Sequence, residues 1–403
     1  MKITGIKIIS HTIHHTPRHK HRDRAVGPLD IYEEYNTDAR SKSMPMALER
    51  NGDELTGAFI VITTDEGIEG IHGPVIYRAQ LLVAVEGLAK HIVGRDPLET
   101  RLLWDIMSRF ERHSRAGLML MAISVVDIAL WDLKGKILGQ PVYKLLGGGR
   151  GRLRPYASML GHSTDDLDET RKAALAVKEK GILAQKWFFR HGPASGNEGI
   201  KKNLELAFTL REALGSDYEL MFDCWMGWNV SYALNIFREL SAVKPVWVEE
   251  VLRPHMKDGY RILKANTNIP LSAGEHLYLR QEVVDYLSEG IFRVIQSDPE
   301  WCGGITEALR IADLCEVYGT TFIPHGHSLM PAAHIVATMS PEICPYVEYL
   351  IHFLEDSMLP FFNHKWLDDD GYITMSNAPG TGLVLDTEIV IRSEEIKGFF
   401  FSP

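Results

Sequence analysis

The sequence predicts an α/β protein, a parallel barrel preceded by an α+β region, and three observations carry that prediction. Apolar runs end repeatedly in a single acid or base. Leu220-Met221-Phe222 leads into Asp223, Trp247-Val248 into Glu249, Ser272-Ala273-Gly274 into Glu275, Ile295-Gln296-Ser297 into Asp298, Phe322-Ile323-Pro324 into His325, and Tyr346-Val347 into Glu348. These six residues fall 26, 26, 23, 27 and 23 positions apart, about the length of a strand, a loop, a helix and a return loop. The third observation is that the first 140 residues lack this rhythm, with strand-like alternation followed by helical periodicity. Parallel barrels carry their functional residues at the C-terminal ends of the strands, which is where an apolar run ending in one polar tip would place them.

Composition bounds the rest. The chain has 403 residues, 45% hydrophobic and 24% charged, which suits a soluble globular protein with a large core. A net charge of −10 argues against nucleic acid as a general partner, while a small anionic ligand stays open if a cation reverses the local field. The four cysteines show no zinc-type or redox spacing, so a reducing cytoplasm is the expected setting. The first ten residues alternate like a strand and lack a signal-peptide core, and no apolar run reaches membrane-spanning length.

In chain order, residues 1–10 read as a strand. Residues 11–50 hold His11, His14, His15, His19 and His21 among Arg18, Lys20, Arg22 and Arg24 without apolar periodicity. This stretch reads as a partly basic surface loop, or as a loop folded over the barrel mouth that brings cations to an anionic substrate. Metal binding by the histidines ranks last, because their spacing fits no regular ligand set. Ala58–Thr64 is a strand, and Asp65-Glu66-Gly67 turns it into Ile68-Glu69-Gly70-Ile71. Helical periodicity follows over 78–93, 98–112 and 117–138, the last stopping at Gly139-Gln140-Pro141. The domain boundary is expected near Leu145-Leu146-Gly147-Gly148-Gly149, giving an α+β unit over 1–145, a barrel over 146–360 and a returning segment over 361–403. Within the barrel, 153–158 and 182–189 read as the first two strands, with helices over 165–180 and 198–214.

Asp223, Glu249 and Glu275 sit on three successive strand tips, so their side chains can converge. A lone carboxylate is ordinarily a surface or salt-bridged acid, but three at one point repel unless a cation holds them together. Oxygen-only ligands favour Mg²⁺ or Mn²⁺ over Zn²⁺. Asp298 and His325 follow on the next two strands. Alone, each would be read as structural; beside a metal triad, a carboxylate that orients an imidazole makes a general base. A divalent metal facing such a base points to proton abstraction next to a carboxylate.

These residues carry a resemblance. The runs Asp223-Cys224-Trp225-Met226, Trp247-Val248-Glu249-Glu250, Gly274-Glu275-His276, Trp301-Cys302-Gly303-Gly304 and Pro324-His325-Gly326 resemble the sugar-acid dehydratases of the mandelate racemase branch of the enolase superfamily, in particular the L-rhamnonate dehydratase group. Ile128-Ala129-Leu130-Trp131-Asp132 and the Pro141–Gly148 run resemble its junction between cap and barrel. The resemblance implies a modified TIM barrel of (β/α)7β type, capped by an α+β domain built from the N-terminal region and the C-terminal tail. It implies Mg²⁺ on Asp223, Glu249 and Glu275, and an Asp298–His325 dyad. Glu348 would hydrogen-bond the substrate carboxylate when protonated, His276 would reach substrate hydroxyls or the leaving group, and Lys186, Trp225 and Arg50 would contact substrate. The expected reaction is loss of water from a small sugar acid to give a 2-keto-3-deoxy acid, by a cytoplasmic homo-oligomer with no nucleic-acid or membrane partner.

One departure bears on the chemistry. Relatives carry Lys-x-Lys on the second strand as an opposing base, and here the positions read Lys186-Trp187-Phe188. Phe188 takes no proton, which disfavours two-base racemisation. The remaining alternatives are an epimerase or cycloisomerase using Lys186 or His276 on the opposite face, and a non-catalytic protein on the same barrel.

Overall fold

The structure is a computed structural model that describes residues 1–19, 25–36 and 48–397. Its N-terminal unit is an antiparallel sheet backed by helices. Strand β1 (Ile3–His14) pairs with β3 (Glu54–Thr64), which also pairs with β2 (Leu48–Asn51) and β4 (Glu69–His72). The β3–β4 hairpin turns at the expected Asp65-Glu66-Gly67. A strand from the far end of the chain, Val390–Ile396, covers the other edge of β1. The helix Gly117–Leu138 packs on this sheet with apolar and small residues on all sides, the pattern of a helix enclosed by protein.

The second unit is a ring of eight parallel strands. In order they are Pro155–Ser158, Ala184–Phe188, Glu219–Asp223, Val248–Glu249, Leu271–Ala273, Val294–Ile295, Thr321–Phe322 and Val347–Leu350, and the eighth pairs back on the first. Tyr156, Ala184, Met221, Trp247, Val294, Ile323 and Tyr346 form one packed cluster, each in or directly beside a different one of seven strands. Burying a large apolar side chain stabilises by roughly 1.5–3 kcal/mol, so this plug supplies a substantial part of the barrel's cohesion. Side chains on a strand repeat every two residues. The residue two positions beyond each plug residue therefore points the same way, one layer closer to the mouth: Lys186, Asp223, Glu249, His325 and Glu348 all stand in that relation.

The ladder opens between the seventh and eighth strands. Pro324 and Pro345 at this seam have no N–H to donate. The seam is instead bridged by the Phe322 amide donating to the Ile343 carbonyl at 2.8 Å and the Gly326 amide donating to Glu348 Oε2 at 2.9 Å. All four cysteines are buried and unpaired. Among the described residues, no helix is long and apolar enough to cross a membrane.

Candidate active site

Lys186 is the centre of the site. Its ammonium, fully buried, lies 2.6 Å from Glu249, 2.9 Å from Glu348 and 3.1 Å from Asp223. Burial alone would lower its pKa, but Glu249, Glu348, Tyr156 and Asp223 outweigh that and hold it well above its usual value. One ammonium does not balance the acids around it. Burial pushes Glu249 up to about 8, with repulsion from Asp223, Glu348 and Glu275 acting against the relief from Lys186. Burial likewise raises Asp223 to about 6, opposed by Lys186 and reinforced by Glu275 and Glu250.

Glu275 faces this group from the next strand and is also raised, by burial first. It belongs to a second cluster in which ligand atoms of Glu250, Glu275 and His276 lie within 4.8 Å of one another. Oε2 of Glu250 is buried with no hydrogen-bond partner among the described residues. Oxygen-only donors, mutual repulsion and an orphaned carboxylate oxygen beside them fit a hard divalent cation. Asp223, Glu249 and Glu275 could hold it, with Glu250 and His276 in the same group as Glu275.

The backbone is strained here. Trp225, Met226 and Glu250 have φ of 36°, 60° and 43°, left-handed values that non-glycine residues seldom adopt, and they cluster on two neighbouring strand tips. Such strain needs surrounding structure to hold it. The Trp225 amide donates to Asp223 Oδ1 at 2.8 Å, and the Met226 amide to the Glu250 carbonyl at 2.6 Å.

Strand alternation alone would turn His276 away from Glu275. The tip is bent instead: Gly274, at φ 137°, starts a turn closed by the Leu277 amide donating to its carbonyl at 3.0 Å. His276 thus comes to the acid side, with Nδ1 2.8 Å from Glu250 and 3.5 Å from Glu275. Burial acts to lower its pKa, and those two carboxylates raise it to about 10. About a quarter of its side chain is exposed, enough to meet a ligand.

The structure makes no Asp298–His325 hydrogen bond, although ligand atoms of Asp298, His325 and His327 all lie within 4.8 Å of one another. Asp298 is bonded to Nδ1 of His327, and His325 turns its Nδ1 to Glu348 at 2.8 Å and to Glu275 at 3.3 Å. The reason is register. His325 and His327 are both at the seventh-strand tip, two residues apart, and the more distal one meets Asp298. Burial lowers His325, but Glu275 and Glu348 prevail and raise it to about 9. Burial acts to raise Glu348, and Lys186 and His325 hold it well below the carboxylate range.

Arg50 makes hydrogen bonds to the His15 carbonyl at 2.5 Å and the Asp356 carbonyl at 2.7 Å, joining β2 to the segment after the eighth strand. Trp225 is about one-third exposed, and a Cβ on Gly27 would sit 3.4 Å from its ring. The neighbouring Val26 donates its amide to the Phe189 carbonyl at 2.8 Å and packs on Gly227, where a Cβ would approach it to 2.6 Å. Residues 25–27 therefore lie at the second and third strand tips; residues 20–24 and 37–47 of the 11–50 stretch lie outside the described residues.

Sequence reasoning missed His327, Glu300, Trp301 as a ring contact, and His72. The signal was present in spacing: His327 and Glu300 each lie two residues beyond a residue already singled out, on the same side of a strand tip.

With this geometry in hand, comparison with known proteins is decisive. Residues 36–147 match the mandelate racemase/muconate lactonizing enzyme N-terminal domain, and residues 168–389 match the enolase C-terminal domain-like family. The chain belongs to the mandelate racemase/muconate lactonizing enzyme family of the enolase superfamily. An L-rhamnonate dehydratase from Saccharopolyspora erythraea is 32% identical over 380 residues, covering 92% of this chain and 91% of that protein. The crystal structure of L-rhamnonate dehydratase from Gibberella zeae aligns over 96% of this chain and 94% of its own, with a TM-score of 0.81 and 28% identity. A second structure of that Gibberella zeae enzyme, complexed with Mg, aligns with a TM-score of 0.80 and 27% identity over 96% and 95% of the two chains. The 3,6-anhydro-D-galactonate cycloisomerase from Zobellia galactanivorans is similar too, with a TM-score of 0.75 and 26% identity over 96% and 98%.

Proposed function

We propose that this family member is a Mg²⁺-dependent sugar-acid dehydratase of the L-rhamnonate dehydratase kind, a hydro-lyase that converts an aldonate into a 2-keto-3-deoxy acid. The observation that carries the reading is the buried, oxygen-only group Asp223, Glu249 and Glu275, with two histidines of different accessibility facing it. Bound there, a divalent cation would neutralise the charge that grows on the substrate carboxylate as the C2 proton leaves.

The chain's own residues divide the remaining work. His325 is the base for the C2 proton: its ring stands beside Glu348 and Glu275, with Nδ1 2.8 Å and 3.3 Å from their oxygens. Glu348 orients that ring. Neutralising Glu275 removes one of the charges that raise His325, so the ring can start unprotonated. His276, whose pKa Glu250 raises first among its neighbours, donates a proton to the C3 hydroxyl as it departs as water. The enol left behind takes a proton at C3 and becomes the keto acid. Phe188, at the position where an opposing base would stand, favours this one-sided elimination over epimerisation. Trp225, about one-third exposed, would contact the body of the substrate, while Lys186, fully buried among Asp223, Glu249 and Glu348, would act through those carboxylates.

A panel of sugar acids beginning with L-rhamnonate, followed by proton NMR in deuterated buffer with Mg²⁺, tests the reading. The expected result is loss of the C2–H signal together with new keto acid. Exchange at C2 without net loss would assign an epimerase, and no change across the panel would overturn the proposal.

A further inference from the structure

The five-stranded sheet of the cap ends in a strand with an uncovered edge. Val390–Ile396 pairs with β1 on one side, and among the described residues no strand pairs with its other side. Its side chains are exposed from Ile391 through Glu395. A strand edge presents unpaired N–H and C=O groups, and proteins guard such edges with lysine, proline or charges that repel a second strand. This strand reads Val390-Ile391-Arg392-Ser393-Glu394-Glu395-Ile396, with no lysine and no proline, and its charges are of both signs.

The order of those charges decides what a second copy would meet. Two identical strands that pair antiparallel about a two-fold axis at one residue set the residue before it opposite the residue after it. With the axis at Ser393, Arg392 of each copy stands opposite Glu394 of the partner subunit, twice over. With the axis at Arg392, Glu394 or Glu395, that residue stands opposite itself, charge against like charge. Opposite charges directly across a strand pair stabilise it, and like charges destabilise it. Ser393 is therefore the one axis position from Arg392 to Glu395 that the charges favour. Both side chains of the pair are more than half exposed, and the ion pairs of Arg392 within its own chain, to Glu394 and Glu54, are long at 3.6 Å each. A guanidinium carries five N–H donors, enough to take a further carboxylate across the axis.

Apolar surface borders the same place. Val390 stands beside Ile13 and Arg392 beside Thr12, so Ile391 is the extra residue of a bulge. Its side chain is 46% exposed, and that of Ile389 is 37% exposed. Ile391 lies two residues from Ser393, so a two-fold contact brings one such side chain to each of its ends.

We propose that the strand Val390–Ile396 joins a second copy of this chain, antiparallel and two-fold symmetric about Ser393, with Arg392 and Glu394 exchanged across the axis. The two cap sheets then run on as one. A pair of short strands is at the low end of specific interface size, so the association is expected in the micromolar range.

The test needs no substrate and stands apart from the dehydratase reading. Sedimentation velocity of the full chain should show assembly that grows between about 1 and 100 µM. Arg392→Glu and Glu394→Arg each set like charges opposite one another, and each should halve the mass of the assembly. An equimolar mixture of the two variants, and the double variant Arg392→Glu/Glu394→Arg, both put opposite charges back across the axis and should restore it. Ser393→Cys reads the axis without any change of charge. Opposed Cα atoms in such a pair lie about 4.5 or 5.5 Å apart, within disulfide reach. The four natural cysteines are buried. Mild oxidation should therefore link Ser393→Cys into a covalent dimer and leave Glu388→Cys unlinked. Should Arg392→Glu lose the strand through its neighbour Glu54, Glu394→Arg and Ser393→Cys still decide. A chain that stays monomeric at the highest concentration, single variants that keep the unaltered mass, failure of either rescue, or no cross-link at Ser393→Cys would each overturn the proposal.

Discussion

At the scale of the residue, Lys186 is where charge and packing are hardest to separate. It is a single cation serving Asp223, Glu249 and Glu348 in a place water does not reach. Lys186→Met keeps most of the stem and deletes the charge, which strands those acids. Breaking a buried charge group in this way costs roughly 3–5 kcal/mol. The expected outcome is a large loss of stability in chelator, with part of it regained in millimolar Mg²⁺, read from denaturant midpoints in the two buffers. Equal loss in both buffers would show that the metal and the ammonium do not share these carboxylates. The histidines separate by chemistry. His325→Asn should abolish both dehydration and deuterium exchange at C2, while His276→Asn should slow dehydration by about 10²–10⁴-fold, the usual worth of general acid catalysis, and keep measurable exchange. Wild-type exchange in the His325 variant would move the base elsewhere.

At the scale of the element, the strand tips explain why the site is where it is. Lys186, Asp223, Glu249, His325 and Glu348 each lie one pleat beyond an apolar plug residue, so the packing that closes the barrel also aims these groups. The short segment at residues 25–27 is held by the Phe189 carbonyl and by the absence of a side chain at Gly227. If it forms part of the substrate enclosure, Val26→Ala should raise KM several-fold for the best sugar acid and leave kcat within about twofold. Its cost in stability should be near the 0.8 kcal/mol lost per buried methylene, about 1–2 kcal/mol in total. An unchanged KM would remove this segment from the substrate's surroundings. The helix Gly304–Val317 shows a related economy at the joint: it begins at Gly304, where a Cβ would meet Asp127 at 2.3 Å, so the cap helix touches its first turn directly.

At the scale of the whole molecule, cap, barrel and C-terminal segment are joined by buried polar groups as well as by apolar contact. Asp132 of the cap helix accepts from Ile71, from both donors of Thr381, and from Lys136. His334, on a barrel helix, accepts the Tyr143 amide at Nδ1 (3.1 Å) and donates from Nε2 to the Thr381 carbonyl (3.0 Å), a pattern only the neutral ring satisfies. Burial lowers its pKa to about 4, against 6.5 for an ordinary histidine. Its folded pKa is depressed, so the penalty for protonation is absent above pH 6.5 and grows as pH falls toward 4. By linkage this amounts to about 3 kcal/mol at the acid end. Stability measured from pH 7 to pH 4 should therefore fall with a component that His334→Gln removes. A variant with an unaltered pH slope would show that this junction does not govern acid sensitivity.

The sequence by itself determined the barrel, the cap's hairpin and long helix, and the strand-tip position of every acid and base, because these follow from local periodicity and from spacing that a repeated strand–helix unit imposes. It did not determine which side chains meet. Asp298 could pair with either histidine of Pro324-His325-Gly326-His327, and sequence offers no ruler for a two-residue difference across neighbouring strands. The bend at Gly274 that brings His276 beside Glu275, the place of Glu348 between Lys186 and His325, and the place of Lys186 among the carboxylates are likewise tertiary decisions. Each depends on distances of three to four ångströms between residues tens of positions apart, where Coulomb energies in a dry interior change steeply with separation. The link from His72 to Glu300 spans 228 positions and two structural units, and only the folded chain brings those groups into contact.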